Sequence, residues 1–192
     1  MSCTRGEKVR EDQLIFKKGN NAGHRLGGDI IQSLPENTLE VLNAAFLSNV
    51  HKHKTFKYWE FDVRETKDGE LVVHHDRFIK PGKAIDKITF NEVRSYLLKK
   101  CCQIPTLAEV MNIFVEKKFK GKVVVETKLL LSDQGRQQFI DITESYRGKG
   151  FKIAYLAFEK AFEKSFGEKK ARWCRHLKKV MRAKKHKVNL CK

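Results

Sequence analysis

Five short clusters in this chain carry residues suited to acid–base or cation chemistry. They are His24-Arg25, Pro35-Glu36-Asn37-Thr38, Glu60-Phe61-Asp62, His74-His75-Asp76 and Glu126-Thr127-Lys128. In two of them the spacing itself is informative. Side chains alternate across a strand, so Glu60 and Asp62 share a face while Phe61 and Val63 take the other, and Glu126 and Lys128 share a face with Val124. An inward carboxylate in a strand otherwise made of valine is costly unless it is paired or binds metal. Three of them, Glu60, Asp62 and Glu126, could converge on one hard cation, and an all-oxygen donor set suits Mg²⁺ or Ca²⁺ better than zinc. Such a cation, with Arg25 and Lys128, would offset the charge that builds on phosphoryl oxygens when a phosphodiester is hydrolysed. His24 and His75, each at the end of an expected strand, are candidates for general base and general acid. Each part has a plainer alternative: a histidine in a loop, a solvated Glu-x-Asp face, an ordinary pairing of Glu126 and Lys128 with neighbouring charges. Their order along alternating strands and helices favours the chemical reading.

The elements that must position these clusters follow from periodicity. Strands are expected over 21–25 (running into Leu26-Gly27-Gly28), 56–64, 70–75, 122–128, 151–157 and 187–190. Helices are expected from the Ser33-Leu34-Pro35 start signal through Phe46, then over 88–98, 107–117 and 133–146, with a long amphipathic segment over 158–185 weakened at Gly167. This alternation argues an α/β fold with a largely parallel sheet, and a barrel of parallel strands gathers its active site at strand ends. The 192 residues suffice for one core. Residues 1–20 read as a lead-in and 21–192 as one domain.

Net charge is +17, and 16 of the 40 Lys/Arg fall in 147–192 beside only three acids. Phe158, Phe162, Phe166, Trp173, Leu177 and Val180 or Met181 recur there at helical spacing among basic residues. Two readings stand: a basic amphipathic helix lying on an anionic membrane, or a barrel helix whose stripe packs on the sheet. No zinc-finger or RNP motif supports a nucleic-acid partner. No apolar run approaches the ~20 residues of a membrane span, and the first twelve residues lack a signal peptide's apolar centre. Five cysteines, odd in number and without zinc-like spacing, with Cys101 and Cys102 adjacent, suggest reduced thiols. The expected location is cytoplasmic, with peripheral membrane contact through the tail as an extension.

Taken in order, the clusters resemble the glycerophosphodiester phosphodiesterase family. Its His-Arg-Gly opening, Pro-Glu-Asn-Thr, Glu-x-Asp, Thr-x-Asp-Gly and Val-Val-x-His-Asp motifs correspond to His24-Arg25, 35–38, Glu60-Phe61-Asp62, 66–69 and 72–76. Ile104-Pro105-Thr106-Leu107-Ala108-Glu109-Val110 and Glu126-Thr127-Lys128 match later motifs. The resemblance covers about residues 22–130. It implies a TIM-type (β/α) barrel of the phospholipase-C-like phosphodiesterase kind, and hydrolysis of a glycerophosphodiester or lysophospholipid, the former yielding glycerol 3-phosphate and an alcohol. It also implies His24 and His75 as the acid/base pair, Glu60, Asp62 and Glu126 on a divalent cation, Arg25 and Lys128 on the phosphate, and Glu36 and Asn37 in support.

Two departures stand out. Leu26 replaces the glycine after His-Arg, which would shift the loop or crowd the substrate. The 170 residues from Gly23 fall short of the ~250 typical of a full barrel, so an incomplete or open barrel is expected. An unfinished sheet edge would also give a reason to form oligomers. Besides an active enzyme, a non-catalytic remnant binding phosphate or metal, and a basic lipid-surface-binding protein, remain as alternatives.

Overall fold

The structure is a computed structural model describing Lys8, Arg10, 14–16 and 19–192. Most of the expected lead-in therefore lies outside the described residues. Leu14 and Phe16 pack against the core, with the Phe16 ring stacked on His53 at 3.5 Å.

The elements are α1 (Leu39–Leu47), β1 (Trp59–Glu65), β2 (Leu71–Val73), a hairpin of β3 (Phe78–Lys80) and β4 (Lys83–Ala84), α2 (Phe90–Ser95), a second small hairpin of β5 (Leu97–Leu98) and β6 (Cys102–Gln103), and α3 (Leu107–Glu116). They continue with β7 (Lys122–Leu129), α4 (Asp133–Gly148), β8 (Lys152–Ala157), α5 (Glu159–Phe166), α6 (Lys170–Leu177), β9 (Val180–Arg182) and β10 (Lys185–Asn189). The main sheet runs β10-β9-β8-β7-β1-β2. Neighbours from β1 to β9 are parallel, while β2 and β10 turn back antiparallel at the two edges. The result is an α/β fold whose barrel-like sheet stays open among the described residues.

The covered face of the sheet is apolar. Trp59, Phe61 and Val63 of β1 and Val123 and Val125 of β7 are fully buried. Phe114 of α3 lies 6.4 Å from both Trp59 and Phe61, and Phe46 of α1 lies 5.1 Å from Trp59. Thr38 and Thr106 start α1 and α3 by accepting the backbone N–H of Val41 and Glu109, and Glu109 returns a bond to complete a capping box.

Four sequence expectations are corrected. Residues 21–25 form no strand; His24–Gly27 is a 3₁₀ turn with Arg25 and Leu26 at φ 48° and 59°. The helix expected from Ser33 begins only at Leu39, because Asn37 adopts φ 60° and Thr38 is the cap. The segment over 158–185 is not one helix: it breaks at Gly167–Lys169 and stops at Lys178, φ 57°, before two short strands. Its Phe162, Phe166, Trp173 and Leu177 are buried in the core, so this apolar stripe covers the sheet and is not free to enter a membrane. Finally, Cys174 and Cys191 form a disulfide with Cα atoms 5.4 Å apart, and Cys101 is also disulfide-bonded. The inference of reduced thiols fails, and the cysteine argument for a cytoplasmic setting goes with it. No helix among the described residues is long and apolar enough to cross a membrane.

Candidate active site

The face of β1 opposite Phe61 carries Glu60 and Asp62, both nearly inaccessible. Parallel pairing sets Asp62 beside Glu126 of β7. Ligand-type oxygens of Glu60, Asp62 and Glu126 all lie within 4.8 Å of one another. Lys128, two residues along the same strand face, donates to Asp62 at 2.8 Å and to Glu126. Asn37 Nδ2 donates to the other Asp62 oxygen at 2.9 Å, so the left-handed turn before α1 delivers a donor into the cluster. Asn37 Oδ1, in contrast, is buried without a partner.

One lysine does not neutralise three carboxylates. Burial, reinforced by the charges of Asp62 and Glu126, pushes the Glu60 carboxyl up to about 8. Burial would raise Asp62 as well, but Lys128 and the Asn37 bond outweigh it and hold this carboxyl below its ordinary value. The donor set therefore fits a divalent cation on its own terms. Three oxygen ligands converge, burial and the neighbouring charges raise one of them, and a buried amide oxygen nearby lacks a donor.

The histidines flank this cluster. His24 Nδ1 lies 2.8 Å from Asp29 and its Nε2 3.6 Å from Glu60. His75 Nδ1 lies 2.8 Å from Asp76, and its charge helps lower Asp62. A carboxylate on Nδ1 fixes the tautomer and leaves Nε2 for chemistry. His75 is further anchored by Arg64, which donates Nε and Nη2 to its carbonyl at 3.0 and 2.6 Å. Its neighbour His74 is mostly buried, which pushes its imidazole down to about 4, and its Nδ1 has no partner.

Arg25 donates its backbone N–H to Glu60 at 3.1 Å, and its Nη1 contacts both Glu36 oxygens at 2.9 Å. Burial opposes the Arg25 charge, and Glu36 more than compensates. The Leu26 side chain is fully buried in the core, and the cost of standing in place of glycine is carried by the backbone as two consecutive non-glycine residues at positive φ. Gly28 is needed for close approach, since a Cβ there would sit 2.4 Å from the Glu36 Cβ.

A cavity of about 390 Å³ unites His24, Asp29, Glu60 and Glu126 with Asn21, Lys57, Tyr58, Ala183 and His186. A larger one, about 500 Å³, lies among Asp133, Arg136, Lys169 and Trp173, and none of the five polar clusters read from the sequence lines it. The structure thus brings Glu60, Asp62, Glu126, Lys128, Asn37, His24 and the Arg25 backbone together, with Glu36 behind Arg25 and His75 on the Asp62 side. Sequence reasoning missed Asp29, Arg64, Lys57 and His186. Asp29 was the most accessible of these, being the first acid after His24 in the glycine-rich loop.

Residues 28–171 match the glycerophosphoryl diester phosphodiesterase family. A relative assigned as glycerophosphodiester phosphodiesterase 2 of Mycobacterium tuberculosis is 40% identical over 61 residues, 30% of this chain and 23% of that one. A solved structure from Galdieria sulphuraria, assigned as a glycerophosphodiester phosphodiesterase, superposes with a TM-score of 0.64 at 23% identity, covering 88% of this chain and 65% of its own. An Oleispira antarctica phosphodiesterase, solved with the product sn-glycerol-3-phosphate, gives 0.50 at 20% identity, covering 83% and 63%. The chain spans under two thirds of the length of these relatives. With three quarters of its residues inside the match, it belongs to the glycerophosphoryl diester phosphodiesterase family.

Proposed function

We propose that residues 21–192 form a phosphodiesterase domain that hydrolyses glycerophosphodiesters to glycerol 3-phosphate and an alcohol in a cation-dependent reaction. The convergence of Glu60, Asp62 and Glu126 beside His24 in one cavity carries this reading. Those three carboxylates would hold Mg²⁺ or Ca²⁺, which when bound polarises a phosphoryl oxygen and offsets its charge. Lys128 and Arg25 contact the phosphate, with Lys128 placed by Asp62 and Glu126, and Arg25 by Glu36. Asn37 orients Asp62. His24 and His75 share the proton work: one takes the proton of the attacking oxygen, and the other returns a proton to the alcohol as its P–O bond breaks. Asp29 and Asp76 hold the two rings with Nε2 available.

An apolar groove of about 440 Å³, floored by Val124, Ala154, Leu156 and Met181, meets this cavity at Tyr58, Leu156 and His186. It favours lysophospholipids as a second substrate class, with the acyl chain in the groove. The test is release of glycerol 3-phosphate from glycerophosphoglycerol and glycerophosphocholine in Mg²⁺, Ca²⁺ and EDTA. Release that needs the cation and disappears in His24→Ala supports the proposal. Folded, cation-binding protein that releases nothing from either diester or from a lysophospholipid is instead a binding remnant.

A further inference from the structure

The family match ends at residue 171, yet the wall of the catalytic cavity does not. The hairpin of β9 and β10 closes it from outside the matched region, with Ala183 and His186 lining the same cavity as His24, Glu60 and Glu126. Its placement is well secured. The Ala183 N–H donates to the Ala157 carbonyl at the end of β8 (2.8 Å), Arg182 pairs with Glu159 (2.8 Å), and the Cys174–Cys191 disulfide ties the far end of the hairpin to α6. Lys184 belongs to the same hairpin turn as the lining residue Ala183 and shares an aromatic contact with the site. Its ammonium lies 5.7 Å from the Phe158 ring centroid, and the ammonium of the site's own Lys128 lies 5.4 Å from that ring.

With Glu60, Asp62 and Glu126 given to the cation, the charges left over around this cavity are cationic. Asp29 is engaged by His24, Glu36 by Arg25, Glu126 by Lys128 and Glu159 by Arg182. Lys57 lines the cavity, and Lys184 lies in the chain between the lining residues Ala183 and His186, with no acid bonded to either lysine among the described residues. A phosphodiester seated on the carboxylate-bound cation would present its leaving alcohol to Lys57, Lys184 and His186. We propose that this hairpin is a specificity element selecting diesters whose leaving alcohol carries an anionic group, such as a further phosphate, over diesters of cationic alcohols such as choline. The inference rests on the phosphodiesterase reading above. Like charges at close range disfavour the wrong substrate as strongly as opposite charges favour the right one.

The experiment compares kcat/KM for glycerophosphoinositol 4-phosphate, glycerophosphoglycerol and glycerophosphocholine with the full chain at about 20 and 300 mM salt, where screening shortens the reach of exposed charges. The expected order is anionic, neutral, cationic, with a difference mostly in KM that shrinks at high salt. Lys184→Glu should lower the anionic-to-cationic ratio by about fivefold, as an exposed charge contact allows, and Lys184→Gln by less. His186→Gln, which keeps a donor, should preserve more of the ratio than His186→Ala. Turnover with equal or greater preference for choline, or a ratio untouched by Lys184→Glu in a normally folded variant, overturns this inference while leaving the phosphodiesterase reading intact. Failure to turn over all three diesters overturns both.

Discussion

Glu60 and Glu65 lie five residues apart on β1, both nearly inaccessible to solvent, and the protein treats them in opposite ways. Glu65 is surrounded by donors. The Ser132 N–H reaches its two oxygens at 3.3 and 3.1 Å, and the Leu131 N–H and Ser132 hydroxyl also donate to it. It fastens the turn after β7 to β1 at the start of α4, where Gly135 approaches so closely that a Cβ would come within 2.4 Å of the carboxyl carbon. Glu60 receives one backbone N–H from Arg25 and otherwise faces carboxylates and the edge of His24. A buried acid given donors is an anchor; one given further acids is destabilising until a cation arrives. The contrast separates architecture from chemistry within a single strand.

The most severe way to break the comparison is at the unsatisfied cluster. Glu126→Gln should lower turnover by about 10²- to 10³-fold, in line with losing one charge-stabilising contact, while leaving the melting temperature unchanged or raised. Steady-state kinetics beside thermal denaturation separate the two effects. Glu65→Ala should do the reverse, costing about 2–3 kcal/mol of stability because buried donors lose their acceptor, with near-normal kcat in the fraction that folds. Denaturant titration measures the first and active-site-normalised kinetics the second.

The comparison sharpens with pH. With Glu60 raised to about 8 in the folded chain and near 4.5 when unfolded, the folded state binds the extra proton between these values. Cation-free protein should therefore lose stability as pH rises from about 4.5 to 8, by a mechanism absent from Glu60→Gln. His74, down at about 4, acts at the acid end: its contribution disappears as pH falls from about 6.5 toward 4. Melting curves of the wild type and Glu60→Gln across this range should differ in slope without Ca²⁺; added Ca²⁺ should raise and flatten the wild-type curve and leave Glu60→Gln, short of one ligand, much less changed. The smallest effect is expected from Thr38→Ala. Loss of the α1 cap should cost about 1 kcal/mol and weaken turnover only as far as Asn37 loses its hold on Asp62.

The carboxylate-bearing face was legible in sequence wherever it depended on alternation. Glu60 and Asp62 facing away from Phe61, and Glu126 with Lys128, required only period two and a parallel sheet. Asp29 and Glu65 were not legible for two different reasons: the Asp29 contact with His24, five residues away, needs the 3₁₀ turn that replaces the expected strand, and Glu65 meets a turn 66 residues away. The C-terminal segment misled for a related reason. Its helical spacing is real through α5 and α6, but Lys178 at positive φ ends the helix, and the Cys174–Cys191 disulfide ties the β9–β10 hairpin back against it. That hairpin brings His186 to the same cavity as His24 and Glu60, both more than 120 residues earlier in the chain.

The central claim is that the unsatisfied carboxylates exist to hold the cation that turnover requires. Calorimetric titration of Ca²⁺ and Mg²⁺ into the wild type and Asp62→Asn, with glycerol 3-phosphate release followed on the same samples, tests it directly. The account predicts one cation site in the wild type, lost in Asp62→Asn together with turnover while the fold is retained. Equal binding and turnover in Asp62→Asn, or undiminished wild-type turnover in EDTA, would contradict it.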